Sequence, residues 1–98
     1  TLQRPMSANA GMVPFAFTLV FPSPEAKAEA SAKIWAAGIE HRMITGGCFT
    51  EHPAAPFYRW GAPEGVENAK KIHYCGLFVG NHAVDLSEQI AYMREVLG

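Results

Sequence analysis

The sequence predicts a small α+β domain: one three-stranded sheet with helices packed on one face. Three observations point there. Apolar residues alternate at period two over 13–21, the mark of a strand. Stretches near 24–37 and 86–97 place apolar residues at helical spacing behind capping residues. The patterns run strand, helix, strand, long loop, helix, strand, helix, an order that suits a layered sheet-and-helix domain.

In the first strand, Phe15, Phe17, Leu19 and Phe21 fall on one face and Ala16, Thr18 and Val20 on the other. Neither face carries charge, which predicts a central strand covered on both sides. Ser23-Pro24-Glu25 opens a helix: a cap, a proline in the first turn, an acid near the positive end. Ala26, Ala30, Ile34 and Ala37 form its expected buried stripe, and Lys27, Glu29 and Lys33 its solvated face. Gly38 stops it, and 40–44 return as a short strand.

Residues 45–65 hold glycines, prolines and four aromatics: Phe49, Phe57, Tyr58 and Trp60. A loop this long is functional or disordered in most compact domains. Its aromatics favour an ordered loop that lines a site or packs on a partner. The next helix, 66–75, turns Val66, Ala69 and Ile72 inward and ends at Gly76. A short buried strand follows at 77–79. Asp85 is placed to cap the last helix, with Glu88 closing a capping box. Leu86, Ile90, Met93 and Leu97 form its buried face.

A chain of 98 residues makes one domain and buries roughly 60–68% of its unfolded surface. With 49% hydrophobic and 17% charged residues it is globular rather than disordered. The balance of 8 basic against 9 acidic residues gives no basic stripe, so nucleic acid is not an expected partner. The longest apolar run is too short to span a bilayer, and 1–5 carry no signal-peptide core. Cys48 and Cys75 are expected as free thiols of a cytoplasmic protein. Residues 1–12 read as a linker or arm. With no initiating Met, they suggest a piece of a longer protein whose domain occupies 13–98.

There is no nucleophile elbow, phosphate-binding glycine motif or paired-carboxylate signature. Cys48-x3-His52 and His73-x-Cys75 do not match zinc spacings, so no metal is expected. His41 and Arg42 are neighbours in a strand and point to opposite faces. The structural reading is a hydrogen-bonded His and a surface Arg. The functional reading has Arg42 reach an anionic ligand with its planar fork. Asn81-His82 is either an ordinary turn or a ligand corner at the carboxyl end of a strand. His73 reads as a partly buried structural residue.

Three blocks carry a resemblance. They are Pro14-Phe15-x-Phe17-x-Leu19; Gly38-Ile39-x-x-Arg42-Met43-Ile44-Thr45-Gly46-Gly47-x-Phe49-Thr50-x-x-Pro53; and Asn68-Ala69-x-x-Ile72-His73-x-x-Gly76-x-Phe78-Val79-Gly80-Asn81-His82. Together they resemble the C-terminal small domain of the DegT/StrS family, over 13–97. These are pyridoxal-phosphate-dependent nucleotide-sugar aminotransferases of deoxysugar and polysaccharide biosynthesis, with a 3-dehydratase branch acting on CDP-4-keto-6-deoxyhexoses. The resemblance implies the small domain of an aspartate-aminotransferase-like fold. It implies a parent that is a cytoplasmic homodimer and holds pyridoxal phosphate mainly in a missing N-terminal domain. That domain supplies the Schiff-base Lys, or a His in the dehydratases. Here Lys27, Lys33, Lys70 and Lys71 all lie on charged helix faces, so the chain alone is expected neither to bind the cofactor covalently nor to catalyse. Arg42, Thr50, Asn81 and His82 are the implied substrate-binding residues, converging on one cleft. Two positions depart from the family loop: Cys48 stands where it often has Asn, and Glu51 where it has Arg. The alternative reading is a stand-alone ferredoxin-like dimerisation or small-ligand-binding module without catalysis. A third is a structural domain with no ligand.

Overall fold

The computed structural model describes residues 15–59, 61 and 66–98. The expected arm at 1–12, the start of the first strand and Trp60 lie outside these. The elements are β1 (Ala16–Val20), α1 (Pro24–Ala36), β2 (His41–Met43), α2 (Val66–Cys75), β3 (Gly76–Gly80) and α3 (Ser87–Leu97). The 45–65 loop carries two short 3-10 turns, Phe49–Glu51 and Ala55–Phe57.

The sheet order is β1-β3-β2, and both outer strands run antiparallel to β3. β1 and β2 are therefore parallel to each other and flank β3, a split βαβ arrangement. This corrects the expectation for β1, which is an edge strand. Its Ala16, Thr18 and Val20 face is half-buried, not covered. Period-two patterning reports which face a side chain takes, not where the strand sits in the sheet. The short Gly-Leu-Phe-Val-Gly segment takes the centre because it pairs on both edges.

Leu19 pairs with Leu77, and Phe17 with Val79, on the face that meets the helices. Leu19, Leu77, Ile34 of α1 and Met93 of α3 form the buried core, with Phe17, Ile39, Val79 and Leu97 packed around it. Ile34 and Leu77 are fully buried. Ser23 Oγ accepts from the Ala26 amide at 3.1 Å, and Pro24 sits at the first helical position. At the other end Ile39 N–H reaches Ile34 O and Gly38 N–H reaches Trp35 O, each at 3.0 Å. That is a Schellman closure, and it needs the positive φ of 75° that Gly38 adopts. It also turns Ile39 back onto the core.

The helix faces differ in detail from the periodic reading. Lys27 is buried, not solvated, and its Nζ donates to the His73 carbonyl at 3.4 Å. A cation at the carboxyl end of α2 is a favourable place for that charge. Ala69 and Ile72 are exposed, while Lys70, His73 and Cys75 turn toward the protein. The rotation of α2 is set by its contacts: Lys27 on the His73 carbonyl, the Cys48 amide on the His73 ring, and Glu51 on Lys70 and Tyr74. Gly76 does not stop α2 by a left-handed turn. It is the first residue of β3, where a Cβ would strike the Ile72 carbonyl and come within 2.9 Å of Ile44 Cγ1. Asp85 Oδ1 accepts from the Ser87 amide at 2.9 Å and from its hydroxyl, turning the chain just ahead of α3 in place of the expected capping box. Cys48 and Cys75 are buried and unpaired with each other. No helix among the described residues is long and apolar enough to cross a membrane.

Candidate functional site

A cleft of about 780 Å³ opens where β3 ends and β1 and β2 begin. Its apolar wall comes from Phe17, Val79, Ile90 and Met93, so the core itself forms the floor. Its polar rim comes from Arg42 on β2, Asn81 and His82 after β3, and Gln89 on α3. Glu40 and Thr45 line it from either end of β2. The split βαβ topology makes this meeting possible. Antiparallel pairing sets His41, the first residue of β2, opposite Val79, so β2 begins beside the end of β3 that leads into Asn81 and His82; Arg42 follows opposite Phe78, on the sheet face away from Leu77 and Val79.

Three of the four anticipated residues thus line one cleft: Arg42, Asn81 and His82. Thr50 is not among the cleft-lining residues. Its hydroxyl lies 3.1 Å from Cys48 Sγ, in a loop pinned to the carboxyl end of α2. Thr50 follows β2 by seven residues, and the intervening glycine turn carries it away from the cleft. Sequence spacing could not show that reversal. Thr45, Glu40 and Gln89 were not anticipated. Thr45 stood inside the matched glycine-loop block, which was the available signal.

The guanidinium of Arg42 is exposed and donates to Glu40 Oε1 at 3.3 Å. The side chain is otherwise exposed, and a guanidinium fork is a donor set suited to phosphate or carboxylate. His41 is the structural residue expected of it. Its Nε2 lies 2.6 Å from Ser31 Oγ, and its ring stands edge-on to Trp35 at 5.3 Å.

The two departures from the family loop both face α2. Cys48 is buried, and its amide donates to His73 Nδ1 at 3.0 Å. Glu51 accepts from Tyr74 Oη at 2.5 Å and pairs with Lys70 at 3.7 Å. The Tyr74 hydrogen bond, with the nearby Lys70 and His73 acting in the same direction, holds the Glu51 carboxyl below its usual range. The same bond raises the Tyr74 phenol. The anticipated change from base to acid therefore falls on a loop clasp, not on the cleft rim.

The described lysines do not fit a covalent pyridoxal-phosphate site. None lines the cleft. Lys27 is engaged with the His73 carbonyl, Lys33 with Glu29 at 3.0 Å and Lys70 with Glu51. Lys71 is exposed on α2.

The fold is an α+β split-βαβ domain, and none of the described lysines lines its cleft. No family model matches the chain. Individual proteins do match. The chain is 39% identical over 84 residues to a GDP-4-keto-6-deoxy-D-mannose 3-dehydratase of Yersinia pseudotuberculosis, covering 85% of the chain and 21% of that enzyme. It is 40% identical over 62 residues to the same enzyme from Escherichia coli O55:H7, covering 62% of the chain and 16% of the enzyme. The chain thus spans about a fifth of the length of the curated relatives it matches. Among solved structures, the E. coli enzyme with bound hydrated PLP superposes with a TM-score of 0.74 at 30% identity, over 85% of this chain and 22% of that one. A GDP-4-keto-6-deoxymannose 3-dehydratase with a trapped PLP-glutamate geminal diamine superposes at 0.75 and 32% identity, over 86% and 22%. A mutant form of that enzyme with bound GDP-perosamine gives 0.73 at 30% identity, over 85% and 22%. The chain is a homologue of one segment of these PLP-dependent, DegT-like 3-dehydratases.

Proposed function

We propose that this chain is the C-terminal small domain of a pyridoxal-phosphate-dependent 3-dehydratase acting on a GDP-linked 4-keto-6-deoxyhexose, and that it closes the substrate side of the active site. The observation that carries the reading is identity of 39% extending over 85% of the chain to an enzyme of that activity. The same relatives favour dehydration over transamination, and an enzyme segment over a stand-alone dimerisation or binding module. Pyridoxal phosphate supplies an electron sink to such chemistry, and the rest of the parent would hold it. The exposed aromatics Phe49, Phe57 and Tyr58 support a contact surface toward that remainder, in a parent we read as a cytoplasmic homodimer.

Within the cleft, Arg42 fixes an anionic group of the nucleotide sugar through charge-assisted hydrogen bonds. Asn81 hydrogen-bonds sugar or phosphate oxygens, and His82 orients the sugar or relays a proton. Thr50 contributes through the loop it stabilises. In the intact enzyme, Arg42→Ala should raise KM for the GDP-sugar by about 10- to 100-fold, the loss of one charged hydrogen-bond set, with a smaller effect on kcat. Steady-state kinetics check it, and an unchanged KM would remove Arg42 from the site.

A further inference from the structure

The glycine turn after β2 is held at both ends. Upstream, Met43 pairs with Leu77 in the sheet. Downstream, the Cys48 amide donates to His73 Nδ1 at 3.0 Å. Between these pins lie Thr45, on the cleft wall, and Gly46 and Gly47, both at positive φ (75° and 55°). Two glycines in succession have very wide conformational freedom, so the turn has little shape of its own. Its shape comes from its anchors. The His73 ring lies flush on Gly47, where a Cβ would overlap Nδ1 and come within 2.8 Å of Cε1. Because Nδ1 accepts an amide proton, the proton of the neutral ring is assigned to Nε2. The residue is itself held in place. Its ring is T-shaped against Tyr74 at 4.8 Å, and its carbonyl takes the Lys27 ammonium. Cys48 is 3% exposed, so its amide stripped of this acceptor would be the costly case of a buried donor without a partner.

We infer that His73 is a positioning residue for the cleft: through Nδ1 it sets the path of the 46–47 turn, and with it the placement of Thr45 on the cleft wall. The inference rests on reading the cleft as a nucleotide-sugar site. Three variants of the intact enzyme test it. His73→Asn keeps an acceptor near the Nδ1 position. His73→Gln moves the acceptor out to the position of Nε2. Gly47→Ala displaces the ring directly. Two readouts are taken: the rate at which a maleimide labels Cys48, mapped by mass spectrometry, and KM against kcat with GDP-4-keto-6-deoxymannose. His73→Asn should keep Cys48 protected and KM near that of the parent. His73→Gln and Gly47→Ala should expose Cys48 and raise KM by about tenfold, with kcat changed by less than about twofold. Protection of Cys48 persisting in His73→Gln overturns the inference. So does exposure of Cys48 with KM unmoved, in an enzyme whose KM does respond to Arg42→Ala. If His73→Gln does not fold, His73→Asn decides, since exposure of Cys48 there overturns the anchor. A KM indifferent to Arg42→Ala would instead defeat the reading of the cleft, while the labelling still shows whether His73 holds the turn.

Discussion

Glu51 shows how a residue that departs from a family pattern can acquire a different task. Its carboxylate takes the Tyr74 hydroxyl and the Lys70 ammonium, tying the 3-10 turn to α2. The folded carboxyl titrates below its usual value, first because of the Tyr74 bond, so its contribution is present above the unfolded value. It is lost as pH falls through the depressed folded value. The Tyr74 phenol is raised by the same bond. Its contribution is fully present below the ordinary value of 10.0 and is lost as pH rises through the raised folded one. Tyr74→Phe should therefore flatten both the acid and the alkaline limbs of the melting-temperature profile. Both groups are solvent-exposed, so the change is small at neutral pH. An unaltered acid limb in the variant would show that the clasp does not contribute. The Glu51–Tyr74 pair was not legible in the sequence, because the two residues are 23 apart and meet only when α2 folds back on the loop.

At the scale of elements, the two ends of α1 followed from short-range chemistry. Ser23-Pro24-Glu25 opened α1 and Gly38 closed it, because caps are satisfied within a few residues. Strand placement did not follow in the same way. Ala16–Val20, within the longer apolar run, is an edge, and the five-residue Gly76–Gly80 segment is the centre. That segment contributes Leu77, fully buried against Leu19, Ile34 and Met93. Leu77→Ala should cost about 2–5 kcal/mol, the range for a large-to-small change in a packed core. Chemical denaturation of the intact protein measures it. A loss below about 1 kcal/mol would mean that the site collapses around the missing side chain.

At the scale of the whole molecule, the lysines decide whether a carbonyl cofactor can be held covalently by this segment. The described lysines are engaged or exposed away from the cleft, so none of them is a pre-organised amine for a carbonyl cofactor. Incubated with pyridoxal phosphate and reduced with borohydride, it should show only scattered, substoichiometric labelling of surface lysines. Stoichiometric modification of one lysine, mapped by mass spectrometry, would overturn that expectation. Lys27 is the instructive position. It was read from periodicity as solvated and is buried, yet its ammonium is committed to the carboxyl end of α2.

The sequence by itself determined the α+β class, the three strands and three helices and the caps of α1. Each of these depends on residues close together along the chain. Only the tertiary structure decided which strand lies in the middle, how α2 is rotated, that Thr50 turns away from the cleft and that His73 grips the glycine turn. Those outcomes depend on contacts between residues distant in sequence, such as Cys48 with His73 and Met43 with Leu77. Side-chain periodicity carries no information about them until the sheet has closed around β3.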